Sequence, residues 1–162
     1  MKRLVLVLFV FIPVAAFAQV AQEMDILLET NAVTAAVAAH FALGAAGLLP
    51  REVSGADART AAYETARSRG WVSKGPGEEI TLQEAAFLIM NVFQLKGGVM
   101  YFFFNSPRYA YREMIYRRLI QGRAYSNMKV SGKRFLQILS STLNYTGERE
   151  MTDAMLNSGG LN

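Results

Sequence analysis

The 162-residue sequence contains no cysteine and only one histidine. The lack of cysteine excludes disulfides, thiol catalysis and cysteine-ligated metals, so burial must supply the stability of the fold. The single imidazole, His40, lies in an alanine-rich segment and makes neither a catalytic triad nor a zinc site by itself. Phosphate-binding loops are also absent, because Gly75-Pro76-Gly77 and Gly97-Gly98 lack the required spacing and lysine. We therefore expect a protein that is not an enzyme and needs no cofactor.

The first residues have the three parts of a secretory signal peptide. Lys2 and Arg3 precede an apolar run over 4–16, which ends in the small-x-small cleavage site Ala16-Phe17-Ala18. This run of 13 residues (16−3) is short for a bilayer span, and an uncleaved membrane anchor is the alternative. The sequence predicts a signal peptide over 1–18 and an exported protein, periplasmic or associated with the cell envelope. After cleavage it would have no transmembrane span and no nucleic-acid partner.

Positive charge is concentrated in one stretch of the mature chain. Residues 107–134 contain eight Lys or Arg and one Glu, a net charge of +7 (8−1). The net charge of the whole mature chain is +2 (15−13), so the residues outside this stretch carry a net charge of −5 (2−7). Segregation of this kind affects the choice of partner more than the fold, and the simpler alternative is a solvated helical face.

A short motif recurs at nearly even spacing as Val33-Thr34, Ile80-Thr81 and Val130-Ser131, with steps of 47 and 50 residues (80−33 and 130−80). Thr or Ser at the head of a helix suits an N-cap, and Thr81 with Glu84 also forms a capping-box pattern. After each motif, residues at the spacing i, i+3, i+4, i+7 and i+8 form the apolar stripe of a helix that packs on one face. Thr142, in the third stripe, is the one polar residue among them. These stripes are Ala38, Phe41, Ala42, Ala45 and Ala46; Ala85, Leu88, Ile89, Val92 and Phe93; and Phe135, Ile138, Leu139, Thr142 and Leu143.

The first two motifs are each followed by a second predicted helix. One runs from about Asp57 to Arg69 and stops at Gly70, and the other continues from Arg108 to Leu119 and stops at Gly122. The run 99–104 is either extended or, as we predict, buried packing between repeats. The sequence thus indicates an all-α domain over 19–147 and a C-terminal tail over 148–162 that adds at most a short helix.

Two helices per unit, opened by [Ile/Val]-[Thr/Ser] and closed by Gly, resemble the S-layer homology repeat. Ile80–Ile89 matches the signature helix, and Ala62–Val72 and Ala110–Gly122 resemble the second helix and its glycine turn. The resemblance covers about 33–145 and implies three helical units in one compact domain around a pseudo-threefold axis. It also implies attachment of exported proteins to envelope polysaccharide. That family binds its ligand through a basic residue directly after the Thr, where this chain has Ala35, Leu82 and Gly132.

The candidate contact surface is therefore the basic helix between the second and third motifs. Tyr109, Arg112 and Tyr116 lie at i, i+3 and i+7, on one stripe of that helix. Arginine suits carboxylate or phosphate, and tyrosine supplies a rigid amphipathic face. Ala110, Tyr111, Met114, Ile115 and Leu119 are expected to face the core. The predicted partner-binding or ligand-binding residues are Arg108, Tyr109, Arg112, Tyr116, Arg117 and Arg123.

The leading functional hypothesis is an exported, non-enzymatic cell-envelope protein. It would act as an interaction or scaffold module that docks an acidic envelope protein or a sister subunit. The alternative is an anchoring module that binds cell-wall polysaccharide or peptidoglycan, with the same surface in contact with an anionic glycan. The third class of function is a small hydrolase or other enzyme. For the surface itself, the alternative is that the tyrosines pack between repeats and the arginines are ordinary solvated charges.

Overall fold

The computed structural model describes residues 22–49 and 55–158. Within these ranges the chain is all-α, as predicted, and it has two isolated antiparallel bridges but no β-strand. The predicted signal peptide lies outside the described residues. None of the helices in these ranges combines the length and hydropathy that a bilayer span requires.

Seven helices follow one another along the described part of the chain. The first, α1, covers 22–29. The others are α2 (Ala35–Ala45), α3 (Gly55–Ser68), α4 (Leu82–Val92), α5 (Val99–Phe104), α6 (Pro107–Tyr116) and α7 (Gly132–Ser158). Helix α2 packs against α3, α4 and α7, and α4 packs against α6 and α7, so α2 and α4 occupy the centre.

Three residues from distant parts of the chain meet at this centre. The Val33 N–H donates to the Val130 carbonyl (2.8 Å), the Ile80 N–H to the Val33 carbonyl (2.9 Å), and the Val130 N–H to the Ile80 carbonyl (3.4 Å). All three side chains are buried. The three motifs found in the sequence therefore form a closed ring of backbone hydrogen bonds, which we call the central ring.

Neighbouring segments cap the helices that follow the central ring. Thr34 and Thr81 occupy the N-cap positions with extended backbone, as predicted, and Thr81 forms a capping box with Glu84. The Thr34 hydroxyl, however, makes no capping hydrogen bond. The free N–H groups at the helix starts are instead satisfied by carbonyls from elsewhere in the chain. Those bonds are Ala35 N–H to Glu78 O (2.9 Å), Leu82 N–H to Met128 O (2.9 Å) and Gly132 N–H to Thr30 O (2.8 Å).

The predicted stripes agree with most of the core. Ala38, Ala42, Leu88 and Phe135 are among the members that are buried. The members in the last turn of α2 and in the middle of α7, Ala45 and Leu143, are exposed and line one surface pocket with the end of α4. The buried Thr142 satisfies its hydroxyl by donating to the Ile138 carbonyl (2.9 Å), so it is a polar member without an unmet hydrogen bond.

Two predicted boundaries differ from the structure. Helix α6 ends at Tyr116 rather than Leu119, because Arg118 adopts a left-handed conformation (φ 59°) that terminates the helix before Gly122. Helix α7 continues through Ser158, so the boundary predicted at 147/148 falls inside a helix. The end of α3 agrees with prediction, since Gly70 follows it with φ 71°.

Segment 99–104 is the largest departure from the sequence prediction. It forms the short helix α5, and no residue of it is buried. Its large apolar side chains are 58–79% exposed, and they are Val99, Met100, Phe102, Phe103 and Phe104. The expectation of buried packing was wrong, because α5 makes its main helix contacts with α6 and only Tyr101 packs against the core.

Candidate functional site

Helix α6 begins where the sequence places a cap followed by proline. Ser106 is the N-cap, and Pro107 takes the first helical position, where its missing N–H costs nothing. Ala110 and Met114 are buried against α4, as predicted. Ile115 was expected in the core but is 37% exposed. Helix α6 therefore buries a narrow stripe and leaves most of its surface accessible.

The predicted stripe on α6 borders a groove shared with α5. Tyr109, Arg112 and Tyr116 line this groove, which measures about 390 Å³, and the segment Gly98–Tyr101 lines its other side. Tyr116 is 84% exposed, and Arg112 is exposed as well. Tyr109 is half-buried because its ring stacks on Phe104, with centroids 5.5 Å apart. We call Tyr109, Arg112 and Tyr116 the α6 stripe.

Two further predicted arginines, Arg108 and Arg123, lie on different parts of the surface. Arg108 is exposed in the first turn of α6, beside the α6 stripe in sequence. Arg123 is exposed in the loop that follows Gly122, and it does not line the α5–α6 groove. The structure thus places Arg108 on the same helix as the α6 stripe and leaves Arg123 outside the groove.

Arg117 is occupied within the chain. Its Nε lies 2.8 Å from Glu113 Oε1, one terminal nitrogen donates to the Tyr145 hydroxyl (3.0 Å), and the other donates to the Lys96 carbonyl. Its guanidinium also lies over the Tyr145 ring, 5.4 Å from the centroid. Arg117 therefore joins α6 to α7 and to the loop before α5, and we place it outside the contact surface.

Two glycines hold α5 in place. The Gly98 N–H donates to Glu113 Oε2 (3.1 Å), so this carboxylate binds Arg117 with one oxygen and α5 with the other. A Cβ at Gly97 would lie 2.3 Å from Tyr101 Cδ1, so only glycine allows Tyr101 to pack there. Burial raises the pKa of Tyr101 to about 12, and the Asn91 side chain opposes only part of this increase. Tyr101 is the inward-facing anchor of α5.

Sequence reasoning missed α5 as an exposed element. The signal available was its short length between two breakers, Gly97-Gly98 and Asn105-Ser106-Pro107. A six-residue helix makes fewer than two turns and cannot bury several large side chains on one face. The short length of α5 therefore favours exposure over burial for most of its side chains.

A second cavity lies between the end of α3 and the start of α4. It measures about 290 Å³ and is lined by Trp71, Lys74 and Glu84 among others. Arg69 lies over the Trp71 ring, and Lys74 Nζ lies 3.1 Å from Glu84 Oε2. Burial alone would raise the pKa of Glu84, but hydrogen bonds from Thr81 and the Lys74 ammonium outweigh it and leave this pKa below its ordinary value.

His40, the one histidine of the chain, is paired within the fold. Its Nε2 lies 3.3 Å from Glu23 Oε2. Across 22–49 and 55–158, no group of three or more His, Asp or Glu side chains could hold a metal ion. The α6 stripe and the second cavity present aromatic faces beside charged hydrogen-bonding groups.

Comparison with known proteins gives no family: no protein-family model, curated protein or solved structure matches this chain.

Proposed function

We propose that the protein is an exported, non-enzymatic component of the cell envelope that acts as an interaction or scaffold module. The observation that carries the proposal is the α6 stripe. Tyr109, Arg112 and Tyr116 lie on one side of one helix and line a single groove. Tyrosine and arginine are the residue types that dominate the binding energy of protein interfaces.

The partner that fits this surface is acidic. Arg112 offers a planar fork for a carboxylate, and Arg108 adds a second exposed cation in the preceding turn. Glu113 also lines the groove, but its charge is balanced by the ion pair with Arg117 (2.8 Å). A sister subunit also meets the requirement, since the chain outside the basic stretch is acidic.

The architecture we propose is three units similar to the S-layer homology repeat. Two sets of backbone hydrogen bonds support it. In the central ring, the Val or Ile of each motif donates its N–H to the carbonyl of another motif. In the second set, the first N–H of α2, α4 and α7 donates to a carbonyl that lies shortly before another motif. A ring of three similar bonds is what a pseudo-threefold arrangement requires. This architecture would attach the α6 stripe to a rigid centre.

Charge reversal at Arg112 tests the interaction module. We expect Arg112→Glu to abolish recovery of a cross-linked envelope partner, because it places a carboxylate opposite an acidic surface. Lys133→Glu is the matched control, since it makes the same charge change at an exposed position on α7. Equal recovery of the partner with Arg112→Glu and with the unmodified protein, at unchanged helicity, would refute the assigned surface.

The second cavity supports the alternative, a module that binds cell-wall glycan. Trp71 supplies an aromatic face, and Lys74 and Glu84 supply hydrogen-bonding groups beside it. The positions that carry the basic ligand-binding residue in the S-layer homology family give no support, because Ala35, Leu82 and Gly132 are all buried. Binding would therefore depend on Trp71 rather than on those positions.

Sedimentation with purified cell-wall sacculi at low and high salt tests this alternative. We expect co-sedimentation at low salt that Trp71→Leu abolishes. Tyr125→Leu, which changes an exposed aromatic side chain outside the cavity, is the matched control. Failure of the unmodified protein to co-sediment at low salt would refute glycan binding.

A further inference from the structure

Helix α5 presents an unusual surface for its size. Successive residues of an α-helix are rotated by roughly 100°, so the five exposed apolar side chains of α5 cover about 200° of its circumference. The one remaining side chain, Tyr101, faces inward on Gly97. The exposed side chains therefore form a convex apolar ridge rather than a flat face or a hollow.

The apolar surface continues beside the ridge. Phe102 and Phe103 also line a cleft of about 840 Å³, to which the half-buried Trp71 adds an aromatic wall and Asn91, Gln94 and Asn105 add polar ones. Isolated exposed apolar residues are normal on soluble proteins, but a contiguous apolar patch marks a place of contact with a protein or a membrane. The ridge and this cleft together form such a patch.

Two cations line the hollows beside the ridge, Lys96 with Phe102 and Phe103 and Arg112 with Val99 and Met100. Lys96 precedes the ridge by one glycine pair, and Arg108 and Arg112 follow on α6; all three are exposed. Within the described part of the chain none of the three forms an ion pair with a carboxylate. Tyr109 and Tyr116 lie on the same side, at the groove between the two helices. Aromatic rings next to the cations are the arrangement found at the boundary between acyl chains and headgroups.

We propose that α5 inserts into the interfacial region of an anionic lipid bilayer. Phe102, Phe103 and Phe104 would enter the acyl-chain boundary, while Lys96, Arg108 and Arg112 contact lipid phosphates. A bilayer accommodates a convex ridge without a complementary hollow, which a protein partner would have to provide. The charge of the flanking side chains selects an anionic surface. This binding goes beyond the proposed protein contact and does not depend on it.

Flotation with lipid vesicles tests the inference without any protein partner. The exported chain, its N-terminus defined by mass spectrometry, is mixed with vesicles of equal parts phosphatidylethanolamine and phosphatidylglycerol. We expect it to float with them, and we expect Phe102→Ser/Phe103→Ser to weaken binding by at least about tenfold. Arg108→Gln and Arg112→Gln should each weaken binding by about fivefold.

Matched controls separate the ridge from general stickiness. Ile26→Ser/Met151→Ser removes two comparably exposed apolar side chains on α1 and α7 and should leave vesicle binding unchanged. Circular dichroism verifies that each variant is folded, and Phe102→Trp/Phe103→Trp should restore binding by keeping large aromatic rings at the ridge.

Three results would overturn the inference. The first is the absence of flotation with anionic vesicles, and the second is equal binding to neutral phosphatidylcholine vesicles. The third is unchanged binding by Phe102→Ser/Phe103→Ser. If that variant instead abolished self-association in sedimentation velocity while no form floated, the ridge would be an interface between copies of the chain. Because Arg112 serves both proposals, the Phe102→Ser/Phe103→Ser variant separates them: it should abolish flotation and leave the recovery of a cross-linked partner unchanged.

Discussion

Helices α2 and α5 reverse the usual relation between side-chain size and burial. The buried residues of α2 are four alanines and one leucine, whereas α5 consists of large apolar residues and buries none of them. Helix α2 makes its main contacts with three helices, α3, α4 and α7, whereas α5 makes its main contacts with α6. Small side chains let helices approach closely at the centre, and large ones lie at the edge because no element covers them. The number of neighbours thus decides burial here more than hydrophobicity does.

The largest effect is expected at a glycine in the crowded centre. Gly132→Ala should lower the free energy of unfolding by about 3 kcal/mol or more, because a Cβ there would lie 1.6 Å from the Leu27 carbonyl oxygen. Urea denaturation measures the change. Gly147→Ala, on the same helix but with open space around it, should instead stabilise by roughly 0.5–1 kcal/mol. Similar destabilisation by both substitutions would contradict the close approach of α7 to the α1 backbone.

A direct comparison of α2 with α5 should give an intermediate effect. Ala39→Leu enlarges a side chain that is fully buried, and we expect it to cost about 1–3 kcal/mol through overpacking. Phe103→Ala removes a much larger group from the edge and should change stability by less than about 0.5 kcal/mol. Thermal and urea unfolding of both variants test the contrast. A larger loss with Phe103→Ala than with Ala39→Leu would show that α5 is covered in solution.

The smallest effects are on the pH dependence of stability. Glu84, at the central helix α4, should act at low pH, and Tyr101, on the edge helix α5, should act at high pH. The pKa of Glu84 is below its ordinary 4.5, so its stabilisation is present above that pH and is lost as the pH falls through the lowered value. Glu84→Gln should therefore cost about 1 kcal/mol of stability at neutral pH and flatten the acid limb of the plot of unfolding free energy against pH.

Tyr101 should act at the opposite end of the pH range. Its pKa is raised from 10.0 to about 12, so its contribution to stability is complete below pH 10.0 and is lost as the pH rises to about 12. Tyr101→Phe should flatten only the alkaline limb of the same plot.

Urea unfolding at a series of pH values measures both limbs. Each variant serves as the control for the other, because one residue caps a central helix and the other anchors the edge helix. An acid limb that Glu84→Gln leaves unchanged would mean that other carboxylates dominate the acid response. An unchanged alkaline limb in Tyr101→Phe would mean that the Tyr101 hydroxyl is not buried in solution.

The sequence predicted the features that depend on nearby residues. The apolar stripe of α4, the capping box at Thr81 and Glu84, the proline start of α6 and the glycine after α3 all arise from spacings of a few residues. Local spacing also placed Tyr109, Arg112 and Tyr116 together, and the structure brings them to one groove.

The features that were missed depend on residues far apart in the chain. Arg117 is drawn into the fold by Tyr145 and by the Lys96 carbonyl, 28 and 21 residues away (145−117 and 117−96). The exposure of α5 depends on which helices fail to cover it, and no periodicity reports that. The capping of α2 and α7 by distant carbonyls likewise has no signal in the residues of those helices.

The central ring also determines when the chain can become a folded protein. Its closing bond joins residues 97 positions apart (130−33), and a nascent chain that ends before Val130 has no partner for the Val33 N–H or the Ile80 carbonyl. Buried polar groups without partners oppose folding, so the first two motifs are held back until the third has been synthesised. We therefore expect a chain truncated before Val130 to remain unfolded and open to proteases.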